Sequence, residues 1–343
     1  MKSTYQHYLA LKSENPRRYA RDLATMMAIS EAELAHIRIG YDAKPMKKDF
    51  VALLQALHTV GETKSIVRNE YAVHEQVGRY DNVKLSNHTG LILNPRALDQ
   101  RIFMRQWASA FLLKEDTHHG ERQSIQIFDT HGDSVLKIYA IEKTNITAWN
   151  EIIAQFTLES ISNFSVTPVG KTLLNTAFDA EKVEEEWRAM TDVHQFFKLL
   201  NNHNITRQQA FASVSNKLAS KVENTALSRL LDMIQKDQNE IMIFIGNRGC
   251  VQIFTGVVEQ FIPKGGWLNI FNADFTMHLM ENKITETWIT RKPTKEGYVT
   301  SLELFAEDGT QIAQLYGQRT EGNLEQQRWR NQIESLLVQD QVA

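Results

Sequence analysis

The sequence has one cysteine, Cys250, in 343 residues. A single thiol closes no disulfide within the chain and builds no thiolate metal cage. Set in the apolar run Cys250-Val251-Gln252-Ile253-Phe254, it reads as a small buried hydrophobe. Charge of one sign is also missing: 38 Lys and Arg against 41 Asp and Glu leave a net charge of -3. No general positive field draws the protein to nucleic acid or anionic lipid. No uncharged apolar stretch approaches the ~18 residues of a membrane span, and Met1 to Tyr8 lacks the ~7–15-residue apolar core of a signal peptide. A cytoplasmic protein without stable membrane insertion is expected. A phosphate-cradling Gly-rich loop, a His-Glu-x-x-His pair and a Gly-x-Ser-x-Gly elbow are absent as well, so nucleotide and hydrolase chemistry have no motif to stand on. What is present, 42% hydrophobic and 23% charged residues, is the composition of a folded globular chain.

The chain contains itself twice. Residues 124–139 and 301–316 align without a gap, 177 positions apart, with Ser, Phe, Gly and Tyr coinciding and apolar residues alternating in phase. That is the period of two half-buried strands around a Gly-containing turn. Gly120 falls on Gly297 and Phe111 on Trp288, which adds the preceding strand. One residue out of step, Ser30 meets Thr206, each a candidate helix cap. In each half helical spacing comes first and strand alternation after, so the fold class is α+β, a tandem duplication with two large antiparallel sheets. The expected boundaries are an N-terminal repeat over 1–160, a linker over 161–182 and a C-terminal repeat over 183–343. Helices are expected from Pro16 to Met27, from Phe50 to Leu57, across Glu184 to Ile234, and from Leu324 to Leu337.

Candidate chemistry is sparse. His118-His119-Gly120 aligns with Lys295-Glu296-Gly297 and reads as an exposed turn. Asn204 to Phe211 looks like the start of a DNA-reading helix, but its partner copy lacks the basic residues a phosphate backbone demands. His194 lies amid apolar residues, with Trp187 seven positions earlier on the same helical face. If Thr191 caps that helix, the dipole disfavours imidazolium, and the neutral ring is the form that binds metal. On sequence alone a packed core histidine is the more ordinary reading. Arg291, Lys292 and Arg319 come together on adjacent hairpin arms near aromatic rings, a set suited to a flat apolar ligand with carboxylates at one edge, or to a solvated strand end.

Several uninterrupted blocks carry a family resemblance: Tyr71 to Gln76, Gly90 to Arg96, Glu186 to Phe197, Gly246 to Gly256, and Ile289 through Gly317. In these the chain resembles the HemS/ChuS/HmuS family, the cytoplasmic haemin transport and degradation proteins of Gram-negative bacteria. The resemblance implies stacked sheets with flanking helices and a protein that receives haem from an inner-membrane importer. It also implies either haem oxygenase-like ring cleavage that frees iron or a carrier role without turnover. His194, in Asp192-Val193-His194-Gln195-Phe196-Phe197, matches the family's iron ligand, and Arg101 its arginine on the opposite haem face, with Phe103 the neighbouring ring contact. Gln100 and Ile102 depart from the usual wording around Arg101. Phe244, Lys292, Gln314, Tyr316 and Arg319 match the other pocket positions, Lys292 and Arg319 being suited to propionates at an exposed edge. His88 matches a second haem site in relatives, where Thr89 replaces the commoner Ala. No flavin, NAD or iron–sulfur fingerprint is visible, so turnover is expected to draw on an external reductant.

Overall fold

The computed structural model describes residues 2–117, 120–160, 164–170, 173–320 and 322–339. His118, His119 and parts of the expected linker lie outside the described residues. Two compact units are present: Met1–Arg68 with His74–Gly170 and Gly246–Gln252, and Asn69–Val73 with Lys171–Ile245 and Ile253–Ala343. Each unit includes a short segment from the other half of the sequence.

Unit 1 contains helices α1 (Lys2–Glu14), α2 (Ala20–Met26), α3 (Glu31–Ile37), α4 (Phe50–Ala56) and α5 (Ile146–Phe156). Its strands are β1 (Ala43–Pro45), β2 (Gly61–Arg68), β3 (Ala72–Arg79), β4 (Val83–Leu85), β5 (Gly90–Leu93), β6 (Asp99–Ile102), β7 (Trp107–Thr117), β8 (Gly120–Asp129) and β9 (Ser134–Thr144). They run in the order β1-β7-β8-β9-β2-β3, with β4-β5-β6 as a separate antiparallel run.

Unit 2 repeats the plan. Helices α6 (Ala180–Arg188), α7 (Gln195–His203) and α8 (Arg207–Ser213) precede β10 (Ala219–Val222) and α9 (Ala226–Asp237), and α10 (Gln327–Gln339) closes it. Between them lie β11 (Ile241–Gly246), β12 (Cys250–Gly256), β13 (Gln260–Lys264), β14 (Trp267–Phe271), β15 (Phe275–Met280), β16 (Glu286–Pro293), β17 (Tyr298–Phe305) and β18 (Gln311–Gly317). Their orders, β10-β16-β17-β18-β11-β12 and β13-β14-β15, reproduce those of unit 1 strand for strand. The duplication read from the hairpins therefore extends to the whole topology.

Local chemistry explains the matching starts. Ser30 Oγ accepts the Glu33 N–H at 3.2 Å while the Glu33 carboxylate accepts the Ser30 N–H at 2.8 Å. Thr206 and Gln209 make the same reciprocal pair at 3.1 and 2.9 Å. Each box satisfies helix N–H groups that would otherwise lack partners. Gly132 and Gly309 turn the matching hairpins at φ 83° and 81°, a region closed to most other residues.

The helix expected from Pro16 begins instead at Ala20. Pro16 follows α1, where a residue without an N–H ends a helix, and Tyr19 caps α2 with its N–H donating to Asp22 Oδ2 at 3.2 Å. The stretch from Glu184 to Ile234 is interrupted by β10, whose four residues pair with Thr287–Thr290 of β16 and are too few to show alternation.

The segment Gly246–Gln252 is held in unit 1 by side chains. Arg248 Nε donates to Asp129 Oδ2 at 2.7 Å, Asn247 Nδ2 donates to Val135 O at 3.0 Å, and Trp107 Nε1 donates to Gly249 O at 2.9 Å. Cys250 is buried in the apolar core of that unit, as its surroundings in the sequence suggest. In unit 2 the central strand β17 is buried on both faces. Leu302 and Leu304 pack with Leu230, Leu231 and Trp329 of α9 and α10, while Phe305 packs with Trp187, Phe196 and Phe211 of α6–α8. Ser301 and Glu303, on that second face, are consequently buried polar groups under a helical cover.

Candidate functional site

His194 occupies the break between α6 and α7. The expectation that Thr191 caps a helix bearing His194 in its first turn is corrected: His194 is itself the cap, at φ −69° and ψ −21°, and Thr191 donates its N–H to Gln195 Oε1 at 2.8 Å. The cause is Asp192, whose Oδ1 accepts the His194 backbone N–H at 2.7 Å and turns the chain. The same Oδ1 lies 2.7 Å from His194 Nδ1. That backbone hydrogen bond holds the Asp192 carboxyl below its usual range against the opposing effect of burial, with the His194 ring and Arg319 adding to it. An ionised carboxylate only accepts, so Nδ1 carries the proton and the Nε2 lone pair is left for a ligand. The imidazole is 79% exposed. The loop beneath it is fixed: Trp187 Nε1 donates to Arg291 O at 2.9 Å, Lys295 N–H donates to Thr191 O at 3.2 Å, and the Trp187 and Phe196 rings meet edge to face at 4.6 Å.

Lys292 differs from its expected place at an exposed edge. It is 2% exposed, with Nζ donating to Glu303 Oε1 at 2.6 Å and to Thr290 Oγ1 at 2.7 Å. The reason is the double burial of the sheet: the face that alternation marks as polar is roofed by α7 and α8, and a lysine there needs a carboxylate. Arg207, the first residue of α8, donates to Glu303 Oε2 at 3.2 Å, and its guanidinium covers the Phe196 and Phe197 rings at 5.3 and 5.0 Å. Burial pushes the Lys292 ammonium toward neutrality, Arg207 pushes the same way and Glu303 resists. The Glu303 carboxyl is held down to about 2 although burial alone would raise it, because Lys292 and Arg207 both face it.

Three further expected residues join this cluster. Tyr316 donates its hydroxyl to Gln314 Oε1 at 2.8 Å, Gln314 donates to Gln311, and Gln311 Nε2 donates to Glu303 Oε2 at 2.6 Å. Phe244 stands edge to face with Tyr316, ring centres 5.1 Å apart. Unit 2 thus ties Lys292, Gln314 and Tyr316 together through Glu303 and Gln311, with Phe244 against them. Arg319 follows β18, half-buried, and its charge acts on Asp192. Asp192, Arg207, Gln311 and Glu303 were not singled out by sequence reasoning. Asp192 had a legible signal, an Asx residue two positions before the histidine. Glu303 had none, because alternation does not say that a strand's polar face is covered.

In unit 1, Arg101 is on β6, half-buried and paired with the buried Asp99, and its Nη1 also reaches Gln100 O at 3.3 Å. Phe103 follows, 39% exposed, with its N–H donating to Gly249 O at 3.0 Å. His88 lies in the exposed β4–β5 loop, where its N–H donates to Ser86 Oγ at 3.3 Å.

Among the described residues no group of three or more His, Cys, Asp or Glu could hold a metal ion, and no helix is long and apolar enough to cross a membrane. One presented imidazole suits a metal that brings its own equatorial ligands. The model of the haemin-degrading HemS.ChuX domain matches twice, over residues 28–156 and 204–336. The chain belongs to the HemS family. It is 59% identical to the haemin transport protein HmuS of Yersinia pestis over 99% of each chain. It is 60% identical to the haem-degrading enzyme ChuS of Escherichia coli O157:H7, with a TM-score of 0.93 over 97% of this chain and 98% of that one. At 34% identity it retains a TM-score of 0.92 to the haem-bound form of PhuS, a haem-binding protein of Pseudomonas aeruginosa, over 97% of each chain. The two domain matches agree with the tandem duplication and the α+β class.

Proposed function

We infer that the protein binds haem in the cytoplasm, taking it from an inner-membrane importer, and supports opening of the porphyrin ring so that iron is released. The observation that carries this reading is the His194 geometry: an exposed imidazole whose Nδ1 is fixed by Asp192 and whose Nε2 is left to bind iron. Membership of the family and the likeness to ChuS support it. In this reading Phe244, Gln314 and Tyr316 line the pocket, Arg319 meets a propionate, and Lys292 supplies buried positive charge through the Glu303 cluster rather than a surface contact. Arg101 and Phe103 are assigned to haem on the family resemblance, Arg101 bringing a permanently charged guanidinium. His88 is assigned to a second haem. Ring opening is chemistry of the porphyrin and its iron, and needs electrons, which are assigned to an external reductant.

Haemin titration of wild type and His194→Ala tests the site. Wild type should give a histidine-ligated Soret band that His194→Ala shifts, with affinity lowered at least about tenfold, or ~1.4 kcal/mol. Identical spectra would overturn the assignment. Adding a reductant then separates ring opening from a second reading, a haem carrier, which the likeness to the haem-binding protein PhuS favours. Loss of the Soret band with iron release means turnover, and a stable ferrous complex means a carrier.

A further inference from the structure

Nothing in the fold of α7 requires Asp192 to touch the imidazole. The turn into the helix needs only the bond from the His194 backbone N–H to Asp192, and the Thr191–Gln195 pair closes the loop independently of the ring. Yet one oxygen, Asp192 Oδ1, lies 2.7 Å from both the backbone nitrogen and the ring Nδ1 of His194. A single acceptor shared in this way fixes the residue and its ring together. The imidazole is otherwise 79% exposed, so few packing contacts hold its orientation.

We propose that Asp192 is a positioning residue for haem: it fixes the His194 tautomer, aims Nε2 at the iron, and strengthens that nitrogen as a donor through the Nδ1–H···carboxylate bond. The inference rests on the haem reading above. Its physical basis is general: a ring nitrogen that donates to a carboxylate leaves the opposite nitrogen more basic, and such partners change metal affinity by about 10–100-fold when removed. A more basic ligand favours ferric over ferrous iron, so the group that orients the ring also bears on how readily external electrons enter the complex.

Three variants of the full chain, titrated with haemin and then reduced, test the proposal. Asp192→Ala should weaken haemin by about 10–100-fold. Asp192→Asn keeps an oxygen for the backbone turn and removes the charge. It should melt like wild type, yet show a lowered iron–histidine stretching frequency in the ferrous complex and a raised ferric/ferrous potential. A residue that only shapes the loop would move neither signature. If wild type and His194→Ala give the same spectrum, the haem reading itself falls. If the spectrum depends on His194 while both Asp192 variants keep wild-type affinity and stretching frequency, the haem reading stands and the role of Asp192 is overturned.

Discussion

Glu31 in unit 1 and Arg207 in unit 2 hold matching places, each the first residue of a helix capped by Ser30 or Thr206. Beneath Glu31 the partner is Lys137 on β9, at 2.8 Å, and Arg21 approaches at 3.8 Å while also reaching Asp133. Burial raises the Glu31 carboxyl, but Lys137, first by charge and then by hydrogen bond, brings it below the usual range. Beneath Arg207 the carboxylate has moved to the strand as Glu303, and a second cation, Lys292, sits on its other side. Around Glu31 the cations lie nearer water, Lys137 and Arg21 being 12% and 23% exposed, and Asp133 is a further carboxylate within reach of Arg21. Lys292, Arg207 and Glu303 leave one positive charge over, under the rings of Phe196 and Phe211, which lie 5.0 and 5.7 Å from Lys292 Nζ. Duplication kept a charged cluster under the same helix start in both units, and moved the carboxylate from the helix to the strand with a more deeply buried lysine beside it. Buried ion clusters are poor sources of stability, and a surplus cation is an advantage where an anionic ligand is to be drawn in.

Breaking the clusters is the largest test of that contrast. Glu303→Ala leaves the buried Lys292 without its carboxylate and facing the half-buried Arg207, and should cost about 3–5 kcal/mol and lower the melting temperature by roughly 10 °C. Glu31→Ala leaves Lys137 and Arg21, 12% and 23% exposed and able to reach water, so about half that loss is expected. Thermal unfolding of both variants measures it. An equal or larger fall for Glu31→Ala would mean that the surplus charge is not what distinguishes the units.

Acid should also separate them. His74, buried in unit 1, is depressed by burial from 6.5 to about 3. The unfolded chain takes up a proton there below pH 6.5 while the folded one does not, so stability falls as pH drops from 6.5 toward 3. Between pH 6.5 and 5 the loss should be about 2 kcal/mol. Glu303 in unit 2, with a folded value of about 2 against 4.5, keeps its contribution until pH falls below 4.5 and loses it toward 2. Unit 1 should therefore loosen first. Protection from amide exchange, followed segment by segment from pH 7 to 5, should fall in unit 1 before unit 2. His74→Gln should flatten that dependence, and a profile unchanged by the substitution would assign the acid sensitivity elsewhere.

The sequence spoke clearly where the signal was local and repeated. Ser30 and Thr206 cap as their spacing implies, the hairpins at Gly132 and Gly309 turn where alternation breaks, and the 177-residue offset carries through to strand order. It was silent where burial depends on a covering element. Lys292 and Glu303 alternate like surface residues and are roofed by α7 and α8, as nothing in β16 or β17 foretells. The helix start expected at Thr191 falls at His194 for a related reason: a single Asp side chain, bonding to the backbone two residues on, outcompetes an earlier helix start, which apolar spacing does not reveal.

The smallest effect expected is at the edge of unit 2, and it sharpens the distinction between a surface cation and a buried one. Arg319 is half-buried, so its contact with a propionate should be worth ~1 kcal/mol net, and Arg319→Ala should weaken haemin several-fold without a change in melting temperature. Because exposed charges are screened over about 8–10 Å at physiological ionic strength, that loss should shrink at high salt. Lys292→Met should behave in the opposite way. Its charge is locked to Glu303 at 2.6 Å away from water, so any weakening of haemin should persist at high salt and come with altered thermal stability. Titration of both variants with haemin at low and high salt, beside their melting curves, measures the contrast. If Lys292→Met instead leaves the melting temperature unchanged and its haemin deficit fades with salt, Lys292 acts as a surface partner of the ligand, and the buried positive surplus is not what sets unit 2 apart.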